Sequence, residues 1–409
     1  MKCRHCCAPL THTFLDLGFA PPSNAYLTPD KLQAPGKWYP LHVMVCGQCW
    51  LVQTRDFTQA GDLFDADYAY FSSFSSSWLN HAKRYVDTMV ERFQLSGLSH
   101  VVEVASNDGY LLQYLQANSI PCTGIEPTAS TAAAARVKGI ETIESFFGVQ
   151  LARQLVVQGK QADLTAANNV LAHVPDINDF VAGFAVLLKS QGVATFEFPH
   201  LLKLIAGNQF DTIYHEHFSY LSLTAVQRIF SVNGLTIFDV EEHGTHGGSL
   251  RVFAQRTDTG QHSRSASVDL LLDRETQAGM TTSAYYAGFQ DKTNKVKDDF
   301  LAFLLEAKSQ GKTVGAYGAA AKGNTLINYA GIRQDLISFV VDRNPVKQGK
   351  FMPGSRISIV AESRLKEVQP DYIIILPWNL KSEVKQQLAY VKEWGGKFVT
   401  AVPQLEVTT

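Results

Sequence analysis

The sequence predicts an α/β protein in which a small cysteine-rich module precedes two sheets of alternating strands and helices. Three observations support this fold class. Five of the six cysteines lie in the first 50 residues, an apolar strand followed by a glycine turn and a helix begins near residue 101, and the same pattern returns near residue 314. Strands that alternate with helices form mostly parallel sheets, whose ligands bind at the carboxyl ends of the strands.

Composition narrows the class of function before any motif is considered. The chain has 409 residues, 45% of them hydrophobic, which is enough for two or three domains with cores of their own. Its 36 basic and 38 acidic residues give a net charge of -2 without a dense basic run, which argues against a nucleic acid partner. No apolar run approaches the roughly 20 residues that span a bilayer, and the N-terminus has no apolar signal region. We therefore expect a cytoplasmic protein, a monomer or weak oligomer, with no membrane partner.

Two cysteine pairs predict a zinc site in the first region of the chain, residues 1–60. The predicted ligands are Cys3, Cys6, Cys46 and Cys49. Two residues separate the cysteines of each pair, so each pair can present two thiolates to one tetrahedral ion. His5 and Cys7 could compete with Cys6 for its position, and a redox pair or free thiols are the alternative. A closed site has no position open for substrate, so we expect the ion to stabilise an otherwise core-poor module and not to catalyse.

Residues 61–258 are predicted to form a central doubly wound sheet with a ligand site. The apolar strand 101–104 leads into a turn and a helix, and backbone N–H groups at the start of a helix can face a nucleotide-like ligand. The next apolar stretch ends at Glu126, whose carboxylate could accept both hydroxyls of a ribose. Other residues that we expect around this ligand are Glu103, Ser106, Asn107, Asp108, Gly109, Asn168 and Asn169. His173 and Glu197 also lie near strand ends of this sheet.

Two strands after residue 235, joined by the short sequence GTHGG, predict an antiparallel hairpin at the end of the central sheet. A doubly wound sheet that ends in such a hairpin resembles class I S-adenosylmethionine methyltransferases. The resemblance implies a methyl donor over residues 107–109, with its ribose on Glu126. The glycines after His246, Gly247 among them, allow close approach of the backbone, and Arg251 could reach a phosphate or sugar oxygen. Alternatively, this is a plain tight turn with Arg251 on the surface.

Residues 259–310 are predicted to be a helical connector, and residues 311–409 a second, Rossmann-like sheet. An aromatic stripe at helical spacing in the connector indicates packing. In the second sheet, a Gly-Ala-Ala-Ala-Lys-Gly-Asn turn could hold phosphates by backbone N–H groups and Lys322, with Asn324 in the same turn. Asp342 ends the next strand. Alternatively, the glycines serve tight packing and Lys322 is solvated.

Five motifs in this order resemble a known family. They are the cysteine pairs, SNDGYLL at 106–112, YHEHFSY at 214–220, HGGSLR at 246–251 and GAAAKGNTL at 318–326. Together they resemble the three-domain, zinc-containing sugar C-methyltransferases that act on dTDP-4-keto-deoxysugars, and the resemblance covers essentially the whole chain. It implies zinc on the four cysteines, S-adenosylmethionine on the central domain and a C-terminal domain that helps to hold the nucleotide sugar.

The resemblance also implies roles for individual residues. It places the chemistry at Tyr214, Glu216 and His217. It matches Tyr68, or its neighbour Tyr70, and His173 to positions of the family's pocket. The residues that we assign to the nucleotide-sugar substrate are Glu197, His246, Gly247, Arg251, Lys322, Asn324 and Asp342.

Carbon methylation explains the residue types in DTIYHEHFSY, residues 211–220, which we call the histidine segment; it follows the fourth predicted strand of the central sheet. Methylating a carbon beside a ketone requires removal of a proton to give an enolate. Histidine, with an ordinary pKa of about 6.5, is mostly neutral yet basic at pH 7, so we predict His217 as the base. We expect Glu216 to raise this pKa somewhat and Tyr214 to donate to the enolate oxygen. In an extended chain His215 and His217 would share one face, so the segment should kink or present only one face to the sugar.

Other interpretations stay open. A second metal ion on His215, Glu216 and His217 is disfavoured, because adjacent residues do not easily converge on one ion. The histidines could instead be structural, and the role of His215 is undecided. For the whole chain, the alternatives are methylation of a sugar amine or hydroxyl, and a non-catalytic protein that binds zinc and nucleotides.

Overall fold

The N-terminal module forms an antiparallel sheet whose last strand comes from the histidine segment. The computed structural model describes residues 1–57 and 71–409. In sheet order the strands are β1 (His12–Ala20), β2 (Tyr39–Val45), β3 (Val52–Thr54) and β9 (Ser219–Tyr220). Gln53 lies opposite Ser219 in the β3–β9 pair. This pairing joins the module to the middle of the chain.

The module has a larger core than its sequence suggests, because it shares that core with the connector. Side chains of β1 and β2, Phe14 and Val43 among them, belong to the same buried apolar cluster as Val296 and Phe300. Phe14 stacks on Phe289 with 4.7 Å between the ring centroids. The expectation of a core-poor module is therefore wrong, since its apolar partners lie too far along the chain for a local pattern to show them.

The central sheet has the strand order β10-β11-β8-β7-β4-β5-β6. Its strands are β4 (Val101–Val104), β5 (Cys122–Ile125), β6 (Thr142–Ile143), β7 (Ala162–Asn168), β8 (Leu188–Pro199), β10 (Leu235–His243) and β11 (Ser249–Arg256). Strand β11 runs antiparallel to both neighbours, and the pairs among β4 to β8 are parallel. This confirms the doubly wound sheet with an antiparallel hairpin. The sequence did not predict the short strand β6, so the histidine segment follows the fifth strand in chain order and not the fourth.

Helices precede and connect these strands. They are α1 (Ser76–Phe93), α2 (Leu112–Ala117), α3 (Ala129–Val137), α4 (Val149–Val157), α5 (Ile177–Leu187), α6 (Leu201–Ala206) and α7 (Leu223–Val232). Helix α1 begins where the hydroxyl of Ser75 accepts the backbone N–H of Trp78 at 3.2 Å. Leu112 and Leu115 lie on the buried face of α2. These contacts fix two helices near the turn at residues 106–109, which we call the SNDG turn.

The connector consists of α8 (Ala266–Gln277), α9 (Ser283–Tyr286) and α10 (Phe289–Ser309). Its apolar stripe, including Phe289, Phe300 and Leu304, is buried against the N-terminal module and the C-terminal sheet. The stripe therefore serves packing, as its spacing indicated.

The C-terminal sheet has the order β14-β13-β12-β15-β16-β17, with β17 antiparallel and the other pairs parallel. Its strands are β12 (Val314–Tyr317), β13 (Val340–Val341), β14 (Ile359–Val360), β15 (Tyr372–Ile375), β16 (Lys397–Thr400) and β17 (Glu406–Thr408). Its helices are α11 (Ala321–Tyr329), α12 (Ser363–Val368) and α13 (Lys381–Gln387). The order reverses between β12 and β15, which is where Rossmann-like folds bind ligands.

Short 3-10 helices complete the described structure: Pro29–Gln33, Ser72–Phe74, Leu171–His173, Phe210–Thr212, Thr245–Gly247, Trp378–Leu380 and Ala389–Trp394. Within residues 1–57 and 71–409, no helix has the length and apolar character needed to cross a membrane. The division of the chain into residues 1–60, 61–258, 259–310 and 311–409 stays a prediction.

Candidate active site

A cavity of about 390 Å³, which we call the central cavity, brings together residues that the sequence assigns to different ligands. From the strand ends of the central sheet, its wall includes Asn107, Glu126, Asn168 and Asn169. From the C-terminal part of the chain, the wall includes Ala320, Ala321, Lys322 and Lys347. The wall also includes His173, Tyr214, His217 and His246. The histidine segment therefore contributes to a space that both larger sheets share.

Glu126 stands in the cavity wall with its carboxylate fixed by the backbone. Its Oε2 accepts the N–H of Asn107 and its Oε1 accepts the N–H of Thr128, each at 2.9 Å. A carboxylate offers about four lone-pair sites, so both oxygens can still accept hydroxyl groups of a ligand. Ala105 and Asn107 have φ angles of 58° and 49°, a left-handed conformation that is uncommon away from glycine and concentrates at functional sites.

Two amide oxygens in the same wall point to a ligand that donates hydrogen bonds. The Oδ1 atoms of Asn168 and Asn169 are buried and have no hydrogen-bond partner among the described residues. Buried acceptors without partners are costly, so a ligand that donates to them would remove that cost. S-adenosylmethionine carries an ammonium group, a sulfonium and two ribose hydroxyls, and this set of acceptors fits it.

Other residues of the SNDG turn and of the strand before it lie behind the cavity wall. Gly109 has a φ of 75°, a left-handed conformation that favours glycine, and a Cβ there would also meet the end of an isoleucine side chain at 2.4 Å, so a larger residue would be strained. Ser106 is fully buried, and Asp108 lies 3.4 Å from the amine of Lys138. Glu103 is buried in β4, and burial raises its pKa well above the ordinary value. Contact of these residues with the donor stays a prediction.

The histidine segment bends sharply. The N–H of His217 donates to the carbonyl of Tyr214 at 2.9 Å, which closes a turn over the two residues between them. The turn brings the rings of Tyr214 and His217 together, with 4.0 Å between their centroids, and both line the cavity. His215, inside the turn, is buried with its ring against Tyr39. Of the two conformations that the sequence left open, the structure has the kink.

The ring of His217 is held in one tautomer. Its Nδ1 lies 2.8 Å from the carbonyl oxygen of Thr212, which can only accept, so the neutral ring has its proton on Nδ1 and its lone pair on Nε2. Burial, together with the neighbouring His173, lowers the pKa of His217 well below 6.5. The expected increase of this pKa by Glu216 is wrong, because the Glu216 carboxylate accepts from Asn24 at 3.2 Å and does not bond the ring.

Two further histidines line the cavity, and their rings make different hydrogen bonds. Nδ1 of His173 donates to the backbone carbonyl of Glu216 at 2.8 Å, and its ring centroid lies 4.6 Å from that of His217. Asn169 Nδ2 instead donates to Nε2 of His246 at 3.1 Å, so the neutral ring of His246 has its proton on Nδ1. Burial lowers the pKa of each of these two histidines to about 4. The cavity therefore contains neutral rings of both tautomers.

Two lysines lie in the part of the wall that the C-terminal part of the chain contributes. Lys322 lies in the first turn of α11, where backbone N–H groups have no partner within the helix. Its amine donates to Asn379 at 2.7 Å and lies 4.7 Å from the ring of Trp378. Lys347 donates to the carbonyl of Ala319 at 2.8 Å. Amines and helix N-termini attract phosphate groups, so this part of the wall fits an anionic ligand.

The other predicted substrate residues lie behind the wall. Arg251 is opposite Glu197 in the β8–β11 pair and donates to its carboxylate at 2.8 Å, with both side chains buried. A Cβ on Gly247 would meet a tryptophan ring at 2.6 Å. Asn324 donates to a backbone carbonyl of the N-terminal module, and Asp342 accepts two backbone N–H groups. Contact of these five residues with substrate stays a prediction.

Sequence reasoning missed Asn24, Trp78 and Lys347, which line the cavity. Lys347 follows the second strand of the C-terminal sheet, and that position is a signal that could have found it. Asn24 lies in a loop of the N-terminal module, where nothing in the local pattern points to a cavity far along the chain. The predicted Tyr68, and its alternative Tyr70, lie outside the described residues.

The predicted metal ligands converge in the N-terminal module. The four sulfur atoms lie within 4.8 Å of one another, in Cys3, Cys6, Cys46 and Cys49. This set of thiolates fits a tetrahedral zinc ion, whose Zn–S distance is about 2.3 Å. Cys7 is exposed and His5 bonds Asn178, so the geometry selects Cys6 from the competing ligands. Gln53 donates to the sulfur of Cys3 at 3.1 Å and so orients it.

Comparisons with known proteins cover almost the whole chain. Family models match it as a zinc binding domain at residues 3–64, a methyltransferase domain at 78–240 and a C-methyltransferase C-terminal domain at 244–403. The chain is 33% identical over 387 residues to C-methyltransferase NovU of Streptomyces niveus, an alignment that covers 94% of this chain and 92% of that protein.

Two solved structures also resemble part of the chain. One is the magnesium protoporphyrin IX methyltransferase of Synechocystis PCC 6803 with bound S-adenosylmethionine: identity 17%, coverage 44% of this chain and 79% of that one, TM-score 0.33. The other is the PH0226 protein of Pyrococcus horikoshii OT3: identity 15%, coverage 46% and 95%, TM-score 0.39.

Proposed function

The chain belongs to the S-adenosylmethionine-dependent C-methyltransferases, and we propose that its acceptor is carbon 3 of a dTDP-4-keto-deoxysugar, in deoxysugar biosynthesis. One observation carries the proposal. A neutral imidazole, His217, lines a cavity whose wall combines hydrogen-bond acceptors of one sheet with lysines of another. Carbon methylation needs such a base, together with sites for a cationic donor and for the acceptor. The resemblance of the motifs to sugar C-methyltransferases supports the sugar and its dTDP group.

We assign the methyl donor to the central sheet. Glu126 would hold the ribose hydroxyls, with Asn107, Asn168 and Asn169 around the rest of the molecule. When bound, S-adenosylmethionine supplies an electrophilic methyl group. The predicted donor residues that lie behind the wall would keep the turn in shape: Glu103, Ser106, Asp108 and Gly109.

We assign the nucleotide sugar to the part of the cavity formed by the C-terminal sheet. Lys322 and Lys347 would pair with the diphosphate, since ammonium groups are strong partners for phosphate oxygens. His246 would donate from Nδ1 to an oxygen of the sugar. The predicted substrate residues that lie behind the wall would support it: Glu197, Gly247, Arg251, Asn324 and Asp342.

In the proposed reaction, Nε2 of His217 accepts the proton from carbon 3. The C–H bond breaks, its electron pair enters the enolate of the neighbouring ketone, and Tyr214 donates a hydrogen bond to the enolate oxygen. Carbon 3 of the enolate would then form a bond to the methyl group of the donor, while the bond between that methyl group and sulfur breaks and its electron pair stays on sulfur, which leaves S-adenosylhomocysteine. The lowered pKa keeps His217 neutral at pH 7. His173 bonds the carbonyl of Glu216 and so holds the turn that carries the base.

The proposal is tested with a dTDP-4-keto-deoxysugar that carries deuterium at carbon 3. We expect methylation to release the deuterium into water, because the bond to carbon 3 must break. Methylated product that keeps its deuterium would instead show methylation of an amine or hydroxyl. A lack of S-adenosylmethionine binding in calorimetry would show a non-catalytic protein.

A further inference from the structure

A residue between the two cysteines of the first pair contacts the central domain. Between Cys3 and Cys6, Arg4 has a side chain that is only 6% exposed. Its Nη1 donates to the carbonyl of Pro175 at 3.1 Å. Its guanidinium carbon lies 5.3 Å from the ring centroid of Phe218. Arg4 therefore reaches from the zinc site into the shell of the central cavity.

These contacts fall beside the paired imidazoles of the cavity. Pro175 follows His173 by two residues and itself lines the cavity. Phe218 follows His217 directly, and its N–H donates to the carbonyl of the residue before His173 at 2.8 Å. Arg4 thus contacts both the segment that contains His173 and the segment that contains His217, close to the hydrogen bond that joins their backbones.

Arg4 is in turn fixed by the cysteine cluster. Its backbone N–H donates to Gln53 Oε1 at 2.9 Å, and Gln53 Nε2 donates to Cys3 Sγ at 3.1 Å. Gln53 is fully buried and lies opposite Ser219, at the end of the histidine segment. A displacement of the cysteine cluster would therefore move both Arg4, through Gln53, and the histidine segment, through the strand pair that contains Gln53 and Ser219.

We propose that Arg4 is a positioning residue that fixes the distance between His173 and His217, so that the cysteine cluster holds the base in place as well as folding its own module. The proposal rests on the proposed function, in which His217 is the base. The ion pair of Arg4 with Asp56, at 2.8 Å, is a weaker reason for an arginine here, because Asp56 is 45% exposed and exposed pairs contribute little. A guanidinium is a planar fork with five N–H donors that can stack flat on a ring, whereas a lysine amine is a compact charge with three donors on a flexible stem.

The test measures exchange of the carbon 3 hydrogen of a dTDP-4-keto-deoxysugar in D₂O, with S-adenosylhomocysteine present so that no methyl group is transferred. The variants are Arg4→Ala and Arg4→Lys. The matched control is His5→Ala, in the other interior residue of the same cysteine pair. His5 bonds Asn178 of α5 at 2.8 Å, and Asn178 is not part of the cavity wall.

We expect Arg4→Ala to exchange about 100-fold more slowly than the wild type, since a misplacement of about 1 Å can cost a factor of this size. Arg4→Lys should lie between the two, and His5→Ala should match the wild type. Zinc content and affinity for S-adenosylhomocysteine should stay unchanged. With ¹³C-labelled histidine, the Cε1 resonances of His173 and His217 should shift in Arg4→Ala and not in His5→Ala.

Wild-type exchange in Arg4→Ala, with unshifted histidine resonances, would overturn the positioning role. If the wild type itself exchanges no hydrogen at carbon 3, the proposed function fails, and the histidine resonances alone decide the role of Arg4. If Arg4→Ala loses zinc or unfolds, Arg4→Lys decides by the same rates and resonances.

Discussion

The central and C-terminal sheets begin with the same arrangement of strand, turn and acidic residue, but the side chains that they present to the cavity have opposite charges. In each, an acid after the second strand fixes the turn after the first strand. Glu126 accepts the N–H of Asn107 and that of the residue two positions after itself, both at 2.9 Å. Asp342 accepts the N–H of Ala319 and that of the residue two positions after itself, both at 2.8 Å.

The difference lies in what reaches the cavity. Glu126 lines it, whereas the shorter Asp342 does not, and Lys347 lies 3.9 Å from Asp342 and lines the cavity instead. The central sheet therefore offers acceptors, which suit a cationic donor with hydroxyl groups, and the C-terminal sheet offers amines, which suit a diphosphate. The shared fold pattern thus indicates where a ligand can bind in each sheet. The charge of the side chain that lines the cavity there, Glu126 or Lys347, determines which charge the ligand should carry.

The largest expected effect comes from the residue between the two sheets. His217→Asn should reduce turnover by about 10² to 10⁴-fold, the usual contribution of a general base, with both ligands still bound. Steady-state kinetics and calorimetry with S-adenosylhomocysteine and dTDP check this. His215→Asn, in the same turn but outside the cavity wall, should have a much smaller effect on turnover. Near-normal turnover in His217→Asn would end its assignment as the base.

The two acids provide the direct test of the comparison. Glu126→Ala should weaken binding of S-adenosylhomocysteine by about 1.5–3 kcal/mol, roughly tenfold to a hundredfold, because hydrogen bonds to a charged group are lost. Binding of dTDP should not change. Asp342→Ala should show the reverse pattern with a smaller factor, since it acts through the turn. Calorimetry that finds both ligands affected equally by both variants would break the comparison.

A lysine substitution tests the charge of the C-terminal side. Lys322→Met removes the amine and keeps an apolar stem, so affinity for dTDP should fall about tenfold, the effect of one charge-assisted hydrogen bond. The control is Lys366→Met, in an exposed lysine of the same sheet's helix α12. Equal affinities in the two variants, measured by calorimetry, would place the diphosphate elsewhere.

The smallest effect concerns pH. Burial lowers the pKa of His217, so its neutral form should persist as the pH falls below 6.5, and kcat/KM should keep more than half of its maximum at pH 6.5. Because the unfolded chain binds protons there that the buried histidines do not, stability should decrease as the pH falls below about 6.5. An acid limb of the kcat/KM profile centred at or above pH 6.5 would show that another group is the base.

Local patterns predicted the parts of this molecule whose partners are close in sequence. The strand Val101–Val104 has the predicted bounds, and the strand Val314–Tyr317 begins where the pattern was predicted to return, because each is a short apolar run before a turn. Cys3 and Cys6 converge with the second pair because a two-residue spacing lets both thiolates reach one ion.

Contacts between distant stretches could not be predicted in the same way. Strand pairing places Arg251 opposite Glu197, to which it donates a hydrogen bond, and the sequence around neither residue indicates this pair. The pKa of His217 moves in the opposite direction from the expected one, because burial depends on the whole fold. Asn24 enters the cavity from the N-terminal module through contacts that no local periodicity encodes.

The most direct test of the account is a crystal structure with S-adenosylhomocysteine and a dTDP-4-keto-deoxysugar analogue bound. We expect the ribose of the donor product on Glu126, the diphosphate at Lys322, and Nε2 of His217 within hydrogen-bond reach of carbon 3, about 3.2 Å. A diphosphate bound on the central sheet, or another side chain at carbon 3 with His217 remote from it, would contradict the account.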